Sequence, residues 1–270
     1  MRLDAARRRI DGSGGQRQLG IGEEWVGFRP YRPGDDPRRL DWQLLGRLDR
    51  PFVRVTRRES SEQWVVLLDT SGSMSVGEPS KLQAAAEIAA AWAAYGLRLG
   101  AEVTVRSSAM DGPGRGFDRP AALPELLQWF EDSTASGDRG LEPDSFGPDL
   151  RRAGRAMVVT DLSGPPADAI LEAGVRRRLS VVQVLAPVEF APDAGRIRWV
   201  DPERGGRLPV DVDARLASRY DALLSARLEQ WRATLARHGI EHAVHEAGAP
   251  FESALESLAL GLHRSGGGRG

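Results

Sequence analysis

Asp69, Ser71 and Ser73 stand at alternating positions in the run from Trp64 to Met74, WVVLLDTSGSM. One carboxylate and two hydroxyls in that spacing can turn the same way from a loop and offer hard oxygen atoms to a divalent cation, magnesium or manganese by preference. Val65 to Leu68, just ahead of them, form a continuous apolar run, too short for a helix and long enough for a strand buried on both faces. In an open parallel sheet, the carboxyl edge of such a strand is where ligands bind. A second apolar run, Ala156 to Thr160, also stops at an aspartate, Asp161. If the two strands are neighbours where strand order reverses, both carboxylates lie over one crevice beside Ser71 and Ser73, with waters completing an octahedral shell. The same residue types also serve as caps, the serines at a strand-to-helix turn and Asp161 ahead of the helix that follows its loop. Both readings stand on spacing alone.

Other chemistries find less in the chain. A strand ending in Asp-Thr is also the setting of a phosphatase nucleophile of the haloacid-dehalogenase type, but the second aspartate of that pattern is Ser71 here. VVLLD has the form of a Walker B strand, yet no G-x-x-x-x-G-K-[ST] is present to hold phosphates. G-x-S-x-G is missing, so Ser71 has no nucleophile elbow. His238 and His242 are four apart but straddle Gly239, where a helix should end; with His245 and His263 they read as surface or core residues.

Alternating elements must position the aspartates. Lys81 to Leu99 is alanine-rich with apolar residues at helical spacing, so a helix follows the serine loop directly. Glu102 to Arg106 reads as a strand, Pro120 to Phe130 as a helix, and 131–155 as an irregular stretch with a short helix near Phe146 to Ala153. Beyond Asp161 come a helix through Ile170 to Val175 and a buried strand, Leu179 to Leu185. Arg196 to Val200 and Arg207 to Val212 flank a turn and form a projecting hairpin. A long helix over Asp213 to Arg237, a last strand over Glu241 to His245 and an amphipathic helix over Phe251 to Leu262 complete the order. Strands alternating with helices over this length predict one doubly wound, mostly parallel α/β sheet with an inserted β-hairpin. The expected division is a flexible arm over 1–20, an N-terminal extension packed on the domain over 21–60, the α/β domain over 61–263, and a flexible tail over 264–270.

At 270 residues the chain can bury a substantial core. Lys+Arg 37 against Asp+Glu 38 leaves no global field that would favour nucleic acid. Cysteine is absent, which excludes disulfides, thiolate metal sites and cysteine nucleophiles together. No window approaches the ~20 apolar residues of a membrane span, and a soluble, cytoplasmic protein is the expectation. Nearly all the basic residues are arginine and Lys81 is the only lysine, a bias of composition from which no chemistry is read.

DTSGSM, Asp69 to Met74, resembles the D-x-S-x-S metal-ion-dependent adhesion signature (MIDAS) of von Willebrand factor A domains. RPYRPGDDPRRLDW, Arg29 to Trp42, resembles the R-x-Y-x-x-G-D-D-x-R-x-[IL]-D-W signature of the bacterial domain-of-unknown-function family 58, and so do VVTDL from Val158, LAPVEF from Leu185 and WVDPE from Trp199. The likeness covers about residues 20 to 260. It implies a sheet of von Willebrand factor A type and a non-enzymatic protein-interaction module or adaptor, with a divalent-cation site holding Mg2+ or Mn2+ and a MoxR-type AAA+ ATPase as partner. Position by position, Asp69, Ser71 and Ser73 fall on the first metal motif and Asp161 on the last metal aspartate. The middle element, usually a threonine, has Thr134, Ser136 and Asp138 as candidates. The signature segment reads two ways: as a docking surface made by Arg29, Tyr31, Arg32, Asp35, Asp36, Arg38, Arg39, Asp41 and Trp42, or as a self-paired knot of those charges anchored by Tyr31 and Trp42. The rival functions are a scaffold with a degenerate metal site and a metal-dependent phosphohydrolase using Asp69.

Overall fold

The computed structural model describes residues 23–31, 40–58, 62–136, 140–141, 143–163, 170–172, 174, 178–202 and 205–265. They fall in two compact units, a smaller one within residues 12–61 and a larger one from Glu62 onward.

In the smaller unit β1 (Glu23–Pro30) and β2 (Phe52–Arg58) form an antiparallel pair running from Glu23 opposite Arg58 to Pro30 opposite Phe52. Its register shifts between Trp25 and Gly27. That irregularity breaks the period-two alternation by which a strand is read from sequence. A short helix, α1 (Trp42–Leu48), starts at Asp41, whose Oδ1 accepts from the N–H groups of Gln43 at 3.1 Å and Leu44 at 3.0 Å. It ends at Asp49, which takes a left-handed φ of 53°. Seven residues with Gly46 among them give too little periodicity to be read as a helix in advance.

The larger unit runs β3 (Gln63–Leu68), α2 (Lys81–Arg98), β4 (Glu102–Ser107), β5 (Arg115–Phe117), α3 (Leu123–Glu131), α4 (Pro143–Arg152), β6 (Arg155–Thr160), β7 (Arg178–Leu185), α5 (Pro187–Phe190), β8 (Gly195–Val200), β9 (Arg207–Val212), α6 (Ala214–Arg237), β10 (Glu241–Glu246) and α7 (Phe251–Ser265). Six strands make one sheet in the order β10-β7-β6-β3-β4-β5, parallel throughout except for β5 at its edge. From β3 the chain builds outward through β4 to β5, then returns to the other side of β3 with β6, β7 and β10. Strand order therefore reverses between β3 and β6, the point at which open α/β sheets form a ligand crevice. The β8–β9 hairpin is a separate two-stranded sheet, as its turn residues suggest.

Why β3 is an unbroken apolar run is plain from its neighbours. Trp64, Val66 and Leu68 enter a core with α2 and α3, while Val65 and Leu67 enter a second core with Phe146 and Leu150 of α4 and Leu235 of α6. Helices thus cover both faces, the doubly wound arrangement. The alanines of α2 let it lie close across β3, β4, β6 and β7, and Gly96 marks the tightest approach: a Cβ there would stand 2.6 Å from the Trp64 ring.

Candidate functional site at the carboxyl edge of the sheet

Asp69 and Asp161 leave adjacent strands. Leu68 is opposite Val159 in the β3–β6 register, and the Asp69 N–H donates to the Val159 carbonyl at 2.9 Å. The Thr160 hydroxyl, from the last residue of β6, donates to Asp69 Oδ2 at 2.7 Å, and the Ser71 N–H donates to Oδ1 at 3.0 Å. Ser71 and Ser73 Oγ lie 3.1 Å apart. Asp69, Ser71, Ser73 and Asp161 are all buried. The third loop joins them through its backbone, because the Ser136 N–H donates to the Thr70 carbonyl at 2.9 Å. The side chains of Thr134 and Ser136 are exposed, whereas Asp138 lies outside the described residues.

Lys81 is the site residue that sequence reasoning missed. It is the first residue of α2 and is 1 % exposed. Its Nζ donates to Asp161 Oδ2 and to Glu189 Oε1, both at 2.8 Å. At Gly77 the loop ahead of α2 passes close against Ala186, three residues before Glu189. Gly77 has a φ of 99°, and a Cβ on it would come within 2.8 Å of the Ala186 Cβ. Glu189 is held in turn: its Oε2 accepts from the Ala186 N–H at 2.7 Å, and its carbonyl accepts from Tyr220 of α6 at 2.7 Å. From the same helix, Arg227 donates to the Ser163 carbonyl at 2.9 Å, tying down the loop after Asp161. Being the only lysine was a signal present in the sequence. What gives it meaning is Glu189, which no spacing connects to the serine loop.

These contacts set the charges. Burial pushes the Asp161 carboxyl up, but the Lys81 ammonium, with the Ser163 N–H and the Ser73 hydroxyl, holds it below the usual carboxylate range. Burial likewise works against the Lys81 charge, and Asp161 and Glu189 outweigh it, so the ammonium lies above its ordinary value. For Asp69, burial raises the pKa; hydrogen bonds from Ser71 and Thr160 oppose that, and the Asp161 charge adds to it.

Do these residues fit a divalent cation? The 3.1 Å between the two serine oxygens matches cis ligands of magnesium, about 3.0 Å for bonds of about 2.1 Å, but equally a hydroxyl–hydroxyl hydrogen bond. Asp161 is already engaged by protein groups. Its Oδ2 is engaged by the ammonium and its Oδ1 by the Ser163 N–H at 3.0 Å. A divalent ion on the same carboxylate, about 4 Å from Lys81, would meet repulsion of about 8 kcal/mol at an effective dielectric of about 20. Among the described residues, no group of three or more histidine, cysteine, aspartate or glutamate side chains is placed to hold a metal. Asp161 Oδ1 also closes a local turn onto the Ser163 N–H, and the helix start that its sequence allowed it to cap lies outside the described residues.

Nucleophilic chemistry has little support here. The described partners of the Ser71 hydroxyl are Ser73 and Asp69, and Thr70 Oγ1 lies 3.0 Å from Ser108 Oγ, so neither hydroxyl has a histidine base. His242 and His245 stand on β10.

The family signature segment is placed only at its ends. Tyr31 donates its N–H to the Pro51 carbonyl at 2.9 Å, Asp41 caps α1, and Trp42 opens that helix with its side chain 68 % exposed rather than anchored. Arg29 of β1 pairs in register with Val53 of β2, and Arg32, Asp35, Asp36, Arg38 and Arg39 lie outside the described residues.

Comparisons with known proteins agree with the signature. Uncharacterized proteins from Mycobacterium bovis and from two strains of Mycobacterium tuberculosis are each 30% identical over 251 residues, spanning 87% of this chain and 75% of the relative. A crystal structure of the conserved hypothetical protein BatB from Bacteroides thetaiotaomicron aligns with 75% of this chain and 100% of its own, at a TM-score of 0.45 and 14% identity. The model of the family described as "Protein of unknown function DUF58" matches residues 27–230, and the chain belongs to that family.

Proposed function

We propose that this chain is a non-enzymatic protein-interaction module of von Willebrand factor A type, which docks its partner through the loops at the carboxyl ends of β3 and β6. The observation that carries this reading is the hydrogen-bonded cluster at the reversal of strand order. Asp69 and Asp161 are locked beneath the sheet edge, while Ser75, Thr134, Ser136 and Ser163 stand exposed around them. Such a face is rigid at its base and presents hydroxyls at its rim, which suits recognition more than turnover. The partner follows from the resemblance: a MoxR-type AAA+ ATPase, for which the chain acts as adaptor.

A phosphohydrolase reading asks for an accessible carboxylate nucleophile and a lysine free to meet phosphate. Asp69 is 5 % exposed with both oxygens bonded, and Lys81 is committed to two carboxylates. A second docking reading has its own observation. Leu208 on β9 and Leu223 on α6 are 61 % and 63 % exposed, large apolar side chains left in solvent.

Titration of the purified chain with a MoxR-type ATPase separates the two faces. Ser136→Arg, at the rim, is expected to weaken binding at least tenfold, and Leu223→Asp to leave it unchanged. The reverse pattern would move the interface to the α6 side. Loss of binding in neither variant would remove both faces from the account.

A further inference from the structure

We propose that Lys81 supplies the positive charge that the sequence assigns to a divalent cation, so that the cluster at the carboxyl edge of the sheet is assembled by a built-in ammonium and needs no metal ion. This rests on the docking reading only for what the cluster serves, not for how it is held together.

Three features make Lys81 unlike an ordinary salt-bridge residue. First, its position opposes its charge: it opens α2, where the aligned peptide dipoles present partial positive charge and favour anions. A cation in that place needs compensation from outside the helix, and it has two carboxylates at 2.8 Å. Second, its type is singular. Every other one of the 37 basic residues is arginine. A guanidinium is a planar fork, whereas an ammonium is a compact point charge with donors spread around it, the side chain nearest in form to a small hydrated cation. Third, its connections are those a bound ion would make. From the helix that follows the serine loop it reaches Asp161 after β6 and Glu189 after β7, joining three successive strand-end connections. Asp161 lies beside the serine loop, whose Ser73 hydroxyl helps to hold its pKa down and rests 3.1 Å from Ser71 Oγ, so the ammonium meets the serine loop through Asp161 without an intervening ion. Burial to 1 % exposure keeps bulk water and competing ions from the pair.

The test uses the full chain. Wild-type protein titrated calorimetrically with magnesium chloride and with manganese chloride is expected to give dilution heat only, and its melting temperature is expected to be the same in EDTA and in excess magnesium. Lys81→Met removes the charge and keeps the length. It should lower the melting temperature by roughly 6–20 °C, as stranding a buried carboxylate does, and it should be the form that magnesium or manganese stabilises. Lys81→Met with Asp161→Asn removes both charges and should recover most of that loss without regaining a response to metal. Saturable magnesium or manganese binding to the wild type, abolished by Asp69→Ala, would overturn the proposal, and that measurement stands even if Lys81→Met fails to fold. A wild-type chain that binds neither metal nor ATPase would uphold Lys81 as the resident cation while removing the docking reading.

Discussion

At the residue scale the site is a matter of who satisfies whom. Thr160, at the end of β6, gives its hydroxyl proton to the buried Asp69 carboxylate at 2.7 Å and accepts the Leu162 N–H at 3.2 Å. Thr160→Val keeps the shape and deletes both bonds, so it should destabilise the fold by about 1–3 kcal/mol in chemical denaturation. A second chain of bonds leads away from Asp161. Gln183 donates to the Asp161 carbonyl at 3.1 Å, which turns its Oε1 toward His242 Nε2 at 3.2 Å and makes that nitrogen the donor. Burial, with the Arg232 charge, lowers the His242 pKa from 6.5 to about 4. The unfolded chain therefore takes up a proton between pH 6.5 and about 4 that the folded chain refuses, and stability falls as pH drops through that window. His242→Gln should flatten this dependence, read as the difference in denaturation midpoint between pH 7 and pH 4.5. An unchanged slope would mean that other groups set the acid limit.

Elements place those residues, and much of that placement was legible. The two apolar runs ending in Asp69 and Asp161 are strands, they are neighbours, and strand order reverses between them, because a strand covered by helices on both faces must be apolar throughout. The helix after the serine loop, the β8–β9 hairpin and the long α6 follow from periodicity and turn residues in the same way. Illegible elements were short or irregular: the three residues of β5, the four of α5, the seven of α1 and the shifted register of β1. The α5 omission mattered most, since α5 carries Glu189, and without it Lys81 has half its partners. Gly77 illustrates the dependence of the site on loop geometry. With a φ of 99° and Ala186 2.8 Å from its would-be Cβ, Gly77→Ala should cost about 1–3 kcal/mol, through strain and displacement of the loop that delivers Lys81. A melting temperature equal to wild type would show that the close approach to Ala186 is not maintained in solution.

At the scale of the larger unit, the six-stranded sheet gathers three loops at one edge, where Asp69, Ser71, Ser73, Lys81 and Asp161 form a hydrogen-bonded cluster. No helix among the described residues is long and apolar enough to cross a membrane. The near balance of acidic and basic residues leaves recognition to shape and local groups rather than to a global field. In the proposed docking reading the exposed hydroxyl rim and the buried ionic base divide the work: the base fixes geometry, and the rim meets the partner. Affinity of the wild-type chain for a MoxR-type ATPase, compared with that of Ser136→Arg under identical conditions, tests this most directly. The account predicts at least a tenfold weakening with the melting temperature of the variant unchanged. Equal affinity of the two proteins would contradict it.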